Sequence, residues 1–319
     1  MKYGLRTAGL FFLSATLSRA QTAAPFGTVP EPIRAEAAAQ KTRVYAAPVL
    51  PPLLSGALLP AKRIVTYYGN PLSQRMGILG QFPADNAAAP EEMLKRLANQ
   101  AAEWERADPL TPVQPGLELV AVVASDQPGR DGKYRTRMSS ELIGEVISWA
   151  RTRGWITILD VQVGHSRAED ELAYLRPYLE MPDVHLALDP EFDMQAGVVP
   201  GRRIGSTDAP EVNSAIAFLA GLVEKNSLPP KLLIVHRFTD KMLTNAPSIR
   251  LDSRVQVAIV MDGFGPIPLK RNIYRLEVAD EPVEFAGIKL FYNPKNDRPM
   301  MTPDEVLKLR PQPSIIIYQ

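Results

Sequence analysis

One recurrence constrains this chain more than any other feature. Between residues 62 and 319, eight short β-branched and apolar runs alternate with longer segments of mixed polarity. The runs are Arg63–Tyr68, Leu117–Ala124, Trp155–Val161, Val184–Asp189, Lys231–His236, Val255–Met261, Gly287–Tyr292 and Ser314–Tyr318. Strands this continuously apolar are buried on both faces, which is the condition inside a parallel sheet covered by helices.

The segments between them carry helix signals. Pro90 sits where a first helical turn tolerates it, and Met93, Leu94, Leu97, Ala101 and Trp104 then recur on one side. Ser139-Ser140-Glu141, Thr207 to Glu211 and Thr302-Pro303-Asp304-Glu305 read as helix starts. Strand and helix thus alternate as right-handed βαβ units require. Eight units in roughly 260 residues match a single parallel (β/α)8 barrel over 62–319. The rival is an open doubly wound sheet, but Tyr68-Gly69-Asn70-Pro71 after the first run is not a glycine-rich phosphate turn. Arg202–Ser206 is read as loop, with a ninth short strand as the alternative.

Residues 1–20 have the anatomy of a secretory signal peptide. Lys2 and Arg6 precede an apolar stretch built on Leu10-Phe11-Phe12-Leu13, and Ser18-Arg19-Ala20 offers a cleavage site. The stretch is too short to span a bilayer stably, so no membrane span is expected after cleavage, and the destination is periplasmic or extracellular. Residues 21–61 are rich in Pro and Ala and read as a tether or a strap over the domain. The chain has no cysteine, so disulfides and thiolate ligands are excluded. Its formal charge of +1 turns slightly negative once Lys2, Arg6 and Arg19 are removed. That balance gives no electrostatic case for a nucleic-acid partner.

In a barrel enzyme the chemistry lies where the strands end. Asp160 closes the third run, with Gln162 two residues on and therefore on the same face. Asp189 and Glu191 close the fourth and Asp262 the sixth. Carboxylates crowded into one cleft raise each other's proton affinity, so one can stay protonated while another is ionised. Glycosidic cleavage needs that division of labour, and the structural alternative is helix capping or pairing with Arg. Lys289 lies inside the seventh run, where pairing with a carboxylate is the cheapest resolution. Tyr68, His236, Tyr292 and Tyr318 end other runs, and Phe264 follows the sixth as a sugar-stacking aromatic or a packed anchor. Arg130, Tyr134 and Arg135, in the charged loop after the second run, either hold a hydroxylated or anionic ligand or form internal ion pairs. His185 falls at the barrel bottom and reads as structural. His165 or His236 with these acids could bind a metal, but no compact ligand motif occurs, so neither metal nor cofactor is assigned.

Leu-Asp-Pro-Glu at residues 188–191 and Met-Asp-Gly-Phe-Gly at 261–265, set in this alternation, resemble TIM barrels of the glycoside-hydrolase type. The chain is also similar to exported bacterial barrel proteins of unassigned function. The resemblance implies an acid/base carboxylate after strand four, which maps onto Glu191. Such families often place its partner after strand seven, where this chain has Tyr292-Asn293, so that role falls to Asp160, Asp189 or Asp262. The expected activity is hydrolysis of glycosidic bonds in a polysaccharide or envelope glycan. The alternatives are a non-catalytic barrel that binds envelope polysaccharide or a protein partner, and a metal-dependent hydrolase of phosphate or acyl esters.

Overall fold

The computed structural model describes residues 45, 48–83 and 85–319. Residues 1–20, read above as a signal peptide, and most of the Pro/Ala-rich segment lie outside the described residues. Eight parallel strands form a closed barrel: β1 Arg63–Gly69, β2 Val113–Ala124, β3 Ile156–Val161, β4 Val184–Leu188, β5 Lys231–Arg237, β6 Val255–Met261, β7 Phe285–Leu290 and β8 Ile315–Tyr318. Each pairs with the next in sequence, and β1 pairs with both β2 and β8, which closes the ring. The loop reading of residues 202–206 holds; only Thr207-Asp208 beyond it pairs, with Leu243-Thr244, outside the barrel.

Alternate residues of every strand divide between two apolar clusters. Ile64, Val120, Ile158, Ala187, Ile234, Ala258, Val260 and Ile317 fill the barrel. Val65, Leu119, Leu159, Leu186, Val235, Ile259 and Ile316 face the helices. Gly287 sits in the filled interior, where a Cβ would meet Val260 Cγ2 at 2.6 Å, so only glycine fits. Across the floor, Gln256 accepts the N–H groups of Leu58 and Leu59 at 2.9 and 3.1 Å and donates to the Leu59 carbonyl at 2.7 Å. This bond set seats fully buried Leu59 in the bottom of the barrel.

The helices are α1 Ala89–Ala107, α2 Ser140–Arg151, α3 Ala168–Leu179, α4 Ala209–Asn226, α5 Ile267–Tyr274 and the single turn α6 Pro303–Val306. Helix α1 buries the expected stripe of Met93, Leu94, Leu97, Ala101 and Trp104. Ser139 caps α2 by accepting from Leu142 N at 3.3 Å, and Thr302 and Glu305 form a reciprocal capping box on α6. Between β5 and β6 the expected alternation fails: two 3-10 turns, Asp240–Met242 and Ala246–Ser248, replace a helix. Asn245 there is left-handed (φ 55°) and Pro247 follows, so the segment turns where a helix would need to continue.

Candidate functional site

The inward faces carry polar groups toward the C-terminal ends of the strands. Glu118 shares the inward phase of Val120, Asp160 that of Ile158, His236 that of Ile234, and Lys289 that of Gly287. Asp189 and Asp262 follow one residue beyond β4 and β6. All six are buried, and Glu118 and His236 have no exposed surface at all.

Contacts knit them into one cluster. The Tyr68 hydroxyl donates to Asp160 Oδ2 at 3.0 Å. Gln162 receives the Ala124 N–H at 3.1 Å and donates to Asp189 Oδ2 at 3.1 Å, while Asp189 Oδ1 accepts from Glu191 N at 3.2 Å. The Lys289 ammonium lies 3.6 Å from Asp262 Oδ2 and 3.9 Å from the centre of the Tyr68 ring. His236 Nδ1 is also 3.6 Å from Asp262 Oδ2, and its Nε2 is 3.2 Å from Glu118 Oε1. Asp160 Oδ1, Asp262 Oδ1 and His236 Nδ1 are buried without any hydrogen bond. Orphaned buried polar atoms are rare in folded proteins and call for an explanation.

Electrostatics follow from burial. Burial pushes Glu118 up to about 7, with Lys289 and the Thr66 hydrogen bond opposing. Asp160 rises to about 7 through burial and then the charge of Glu118. Asp189 rises to about 7 through burial and then Asp160. Glu191, on the turn Pro190–Phe192, keeps part of its surface in water. The protein around it, then Asp189 and Asp262, nevertheless raise its carboxyl well above the usual range. Burial alone would lower Lys289, but Asp262, Glu118, Asp189 and Asp160 together outweigh that and raise it. Burial and then Lys289 depress His236 to about 4, so its ring is neutral at pH 7.

Thus Tyr68, Asp160, Gln162, Asp189, Glu191, His236, Asp262 and Lys289 come together. Others do not. Tyr292 and Tyr318 were expected at the pocket, but they stack on each other at 5.3 Å on the helical side of the sheet. Tyr292 donates to Gln100 and Tyr318 accepts from Trp104, both at α1, because Tyr318 alternates with inward Ile317. Arg135 is structural: with Arg137, on the short strand Arg135–Arg137 antiparallel to β2, it clamps fully buried Glu171 at 2.8 and 2.7 Å. Arg130 is exposed at the tip of that loop. The Tyr134 ring lies 4.5 Å from the ring of His165, whose Nε2 meets the Val198 carbonyl at 2.6 Å, so these residues tie three mouth loops together. Phe264 packs edge-on against Phe291 at 5.9 Å. His185 lies inside the barrel toward the bottom and accepts from Leu232 N at 3.0 Å, as a structural residue would.

Sequence reasoning passed over Glu118, although a lone acid between Leu117 and Leu119 carried the same signal that singled out Lys289. Among the described residues, no three His, Cys, Asp or Glu side chains converge in a way that could hold a metal ion. A cavity of about 300 Å³ lies apart from the acids, lined by Arg271, Tyr274, Arg275, Lys308, Leu309 and Arg310. No helix among the described residues is long and apolar enough to cross a membrane. Compared with known proteins, the chain matches no family model, and no curated protein matches it. The fold and the cluster therefore define it as a TIM-like barrel with an acid-rich mouth.

Proposed function

We propose that this mouth is the active site of an exported hydrolase acting on glycosidic bonds of a polysaccharide or envelope glycan. Glu191 is the proton donor and Asp262 the base or nucleophile, with Asp189 and Asp160 tuning them. The observation that carries this reading is a set of five carboxyl groups around one ammonium, Lys289, at one end of the barrel. Glu191, whose proton is held tightly, and Asp262, which is 8 % exposed beside the ammonium, are the two acids with most access to a ligand. One protonated and one charge-paired carboxyl meet the requirement for acid/base cleavage.

The test is hydrolysis of a panel of aryl glycosides and envelope polysaccharides. Glu191→Gln should lower turnover on any active substrate by roughly 10²- to 10⁴-fold with the circular dichroism spectrum unchanged. Unchanged turnover would sink the reading. The full burial of Glu118 and Asp160 favours a second reading, a non-catalytic barrel that binds glycan or a protein partner at its rim. It predicts binding without product, insensitive to amidation of Glu191.

A further inference from the structure

Beneath Asp262 the barrel holds a deeper pair that the roles above do not use. Glu118 Oε2 accepts the Thr66 hydroxyl at 3.0 Å, and Oε1 faces His236 Nε2 at 3.2 Å. The other ring nitrogen, Nδ1, faces Asp262 Oδ2 at 3.6 Å and has no hydrogen bond. A carboxyl–imidazole–carboxyl line therefore runs from the closed interior to the mouth.

A neutral imidazole carries one N–H. With Glu118 ionised, that N–H belongs on Nε2, and the Nδ1 lone pair faces a carboxylate oxygen, two acceptors with no proton between them. With Glu118 protonated on Oε1, its O–H serves Nε2, and the ring N–H sits on Nδ1 pointing at Asp262. The tautomer of His236 follows the protonation of Glu118.

We infer that Glu118, acting through His236, is a buried proton store for Asp262. A proton leaving Asp262 Oδ2 bonds to Nδ1 while the Nε2 proton bonds to Glu118 Oε1. One O–H and one N–H bond break, one N–H and one O–H form, and the ring ends neutral in its other tautomer. The inference rests on the reading of Asp262 as the site's base: a proton taken from water there is cleared inward, away from the acid Glu191. Glu118 touches no substrate and is a positioning residue.

The surroundings favour this route. Burial and then Lys289 disfavour the charged ring, so the proton passes by tautomer exchange and no imidazolium accumulates. Burial lets Glu118 hold a proton into the neutral range. The remaining groups around the pair are Thr66 and Tyr68 from β1, Asp160 at β3, Asp189 after β4 and Lys289 on β7, whose ammonium the acids keep charged. The 3.6 Å gap must close by about 0.5 Å for transfer, and hydrogen bonds in unliganded sites commonly tighten on binding.

The test is nitrogen NMR of the full chain labelled with ¹⁵N-histidine, followed from about pH 5 to about pH 9 across the range where buried carboxyls titrate. His236 is assigned through its edge contact with the Tyr68 ring. The expected result is a neutral ring whose N–H moves from Nδ1 to Nε2 as pH passes about 7, the value to which Glu118 is raised. In Glu118→Gln the tautomer should no longer change with pH. A single tautomer throughout, an imidazolium near the ordinary histidine range, or a switch that survives in Glu118→Gln would overturn the store; the wild-type spectrum decides alone if that variant does not fold. Failure of the active-site reading looks different: turnover untouched by Glu191→Gln removes the enzyme while the switch stands. A fixed tautomer with Glu191-dependent turnover removes only the store.

Discussion

Lys270 and Lys289 are both buried, and the ammonium of the first bonds the backbone carbonyl of the second, yet they live in opposite surroundings. Lys270 has a partner for every proton: the Gly263 carbonyl at 3.0 Å, the Lys289 carbonyl at 2.7 Å and Asp297 Oδ2 at 2.9 Å. Asp297 in turn receives Phe291 N at 3.0 Å and Gly265 N at 3.2 Å. This closed network ties the loops after β6 and β7 together and so holds Asp262 beside Lys289. The Lys289 ammonium, by contrast, comes no nearer to its partner Asp262 than 3.6 Å and is held by the field of the surrounding acids and the face of the Tyr68 ring. A charge satisfied by bonds builds the fold; a charge satisfied only by a field is free to meet a ligand.

Stability is the most direct way to break this contrast. Lys270→Met leaves Asp297 buried without its cation and should cost about 3–5 kcal/mol in urea unfolding. Lys289→Met loses no hydrogen bond, and the surrounding acids can answer by taking up protons, so it should cost less than half as much. Equal losses would mean that the two lysines do the same work.

The pH dependence sharpens the point. Glu118, Asp160 and Asp189 bind protons in the folded protein up to about 7, whereas an unfolded carboxyl releases its proton near 4. Between those values the folded state holds more protons, so stability is full below the unfolded pKa and is lost as pH rises through about 7. His236 and His185, depressed to about 4 and about 3, act in the opposite sense, but only below the unfolded histidine value near 6.5. From about pH 6.5 to 8 the decline belongs to the raised acids, these three together with Glu277 and Glu284, and the thermal midpoint should fall. Lys289→Met should deepen that fall, because the ammonium opposes the rise of all three carboxyls. A midpoint that is flat across this window would show that these acids are ionised in the folded protein.

The smallest effect is expected at Asp160→Asn. At pH 5 the buried carboxyl is already neutral, and its amide isostere can still accept the Tyr68 hydroxyl, so the cost should be under about 1 kcal/mol by thermal melts. A larger loss would show that Asp160 belongs with Asp297 as a structural anchor.

The barrel was legible in the sequence because its strands are buried on both faces, which leaves uninterrupted apolar runs that no surface element imitates. The same continuity hid which residues point inward. Tyr318 follows three isoleucines, so nothing in Ser314–Tyr318 marks its side of the sheet, and it turned out to face α1. Acids at or just past the strand ends stood out against their neighbours, as Asp160 did inside the end of β3 and Asp189 and Asp262 did one residue beyond β4 and β6. Glu118 sits near the start of its run, where the flanking Leu117 and Leu119 made the segment read as packing alone. Asp297 was illegible for another reason: its partners Gly265, Lys270 on α5 and Phe291 just past β7 lie on separate segments, and only folding brings them together.

The floor sealed by Leu59 and Gln256 has a consequence in time. With its lower end stoppered by Leu59, the proposed line through His236 and Asp262 is the route by which a proton resting on Glu118 would exchange with the surroundings. A ligand seated over Asp262 would shut that route. The bound complex would then keep the protonation state in which it formed, and a jump in external pH would reach the interior no faster than the ligand departs.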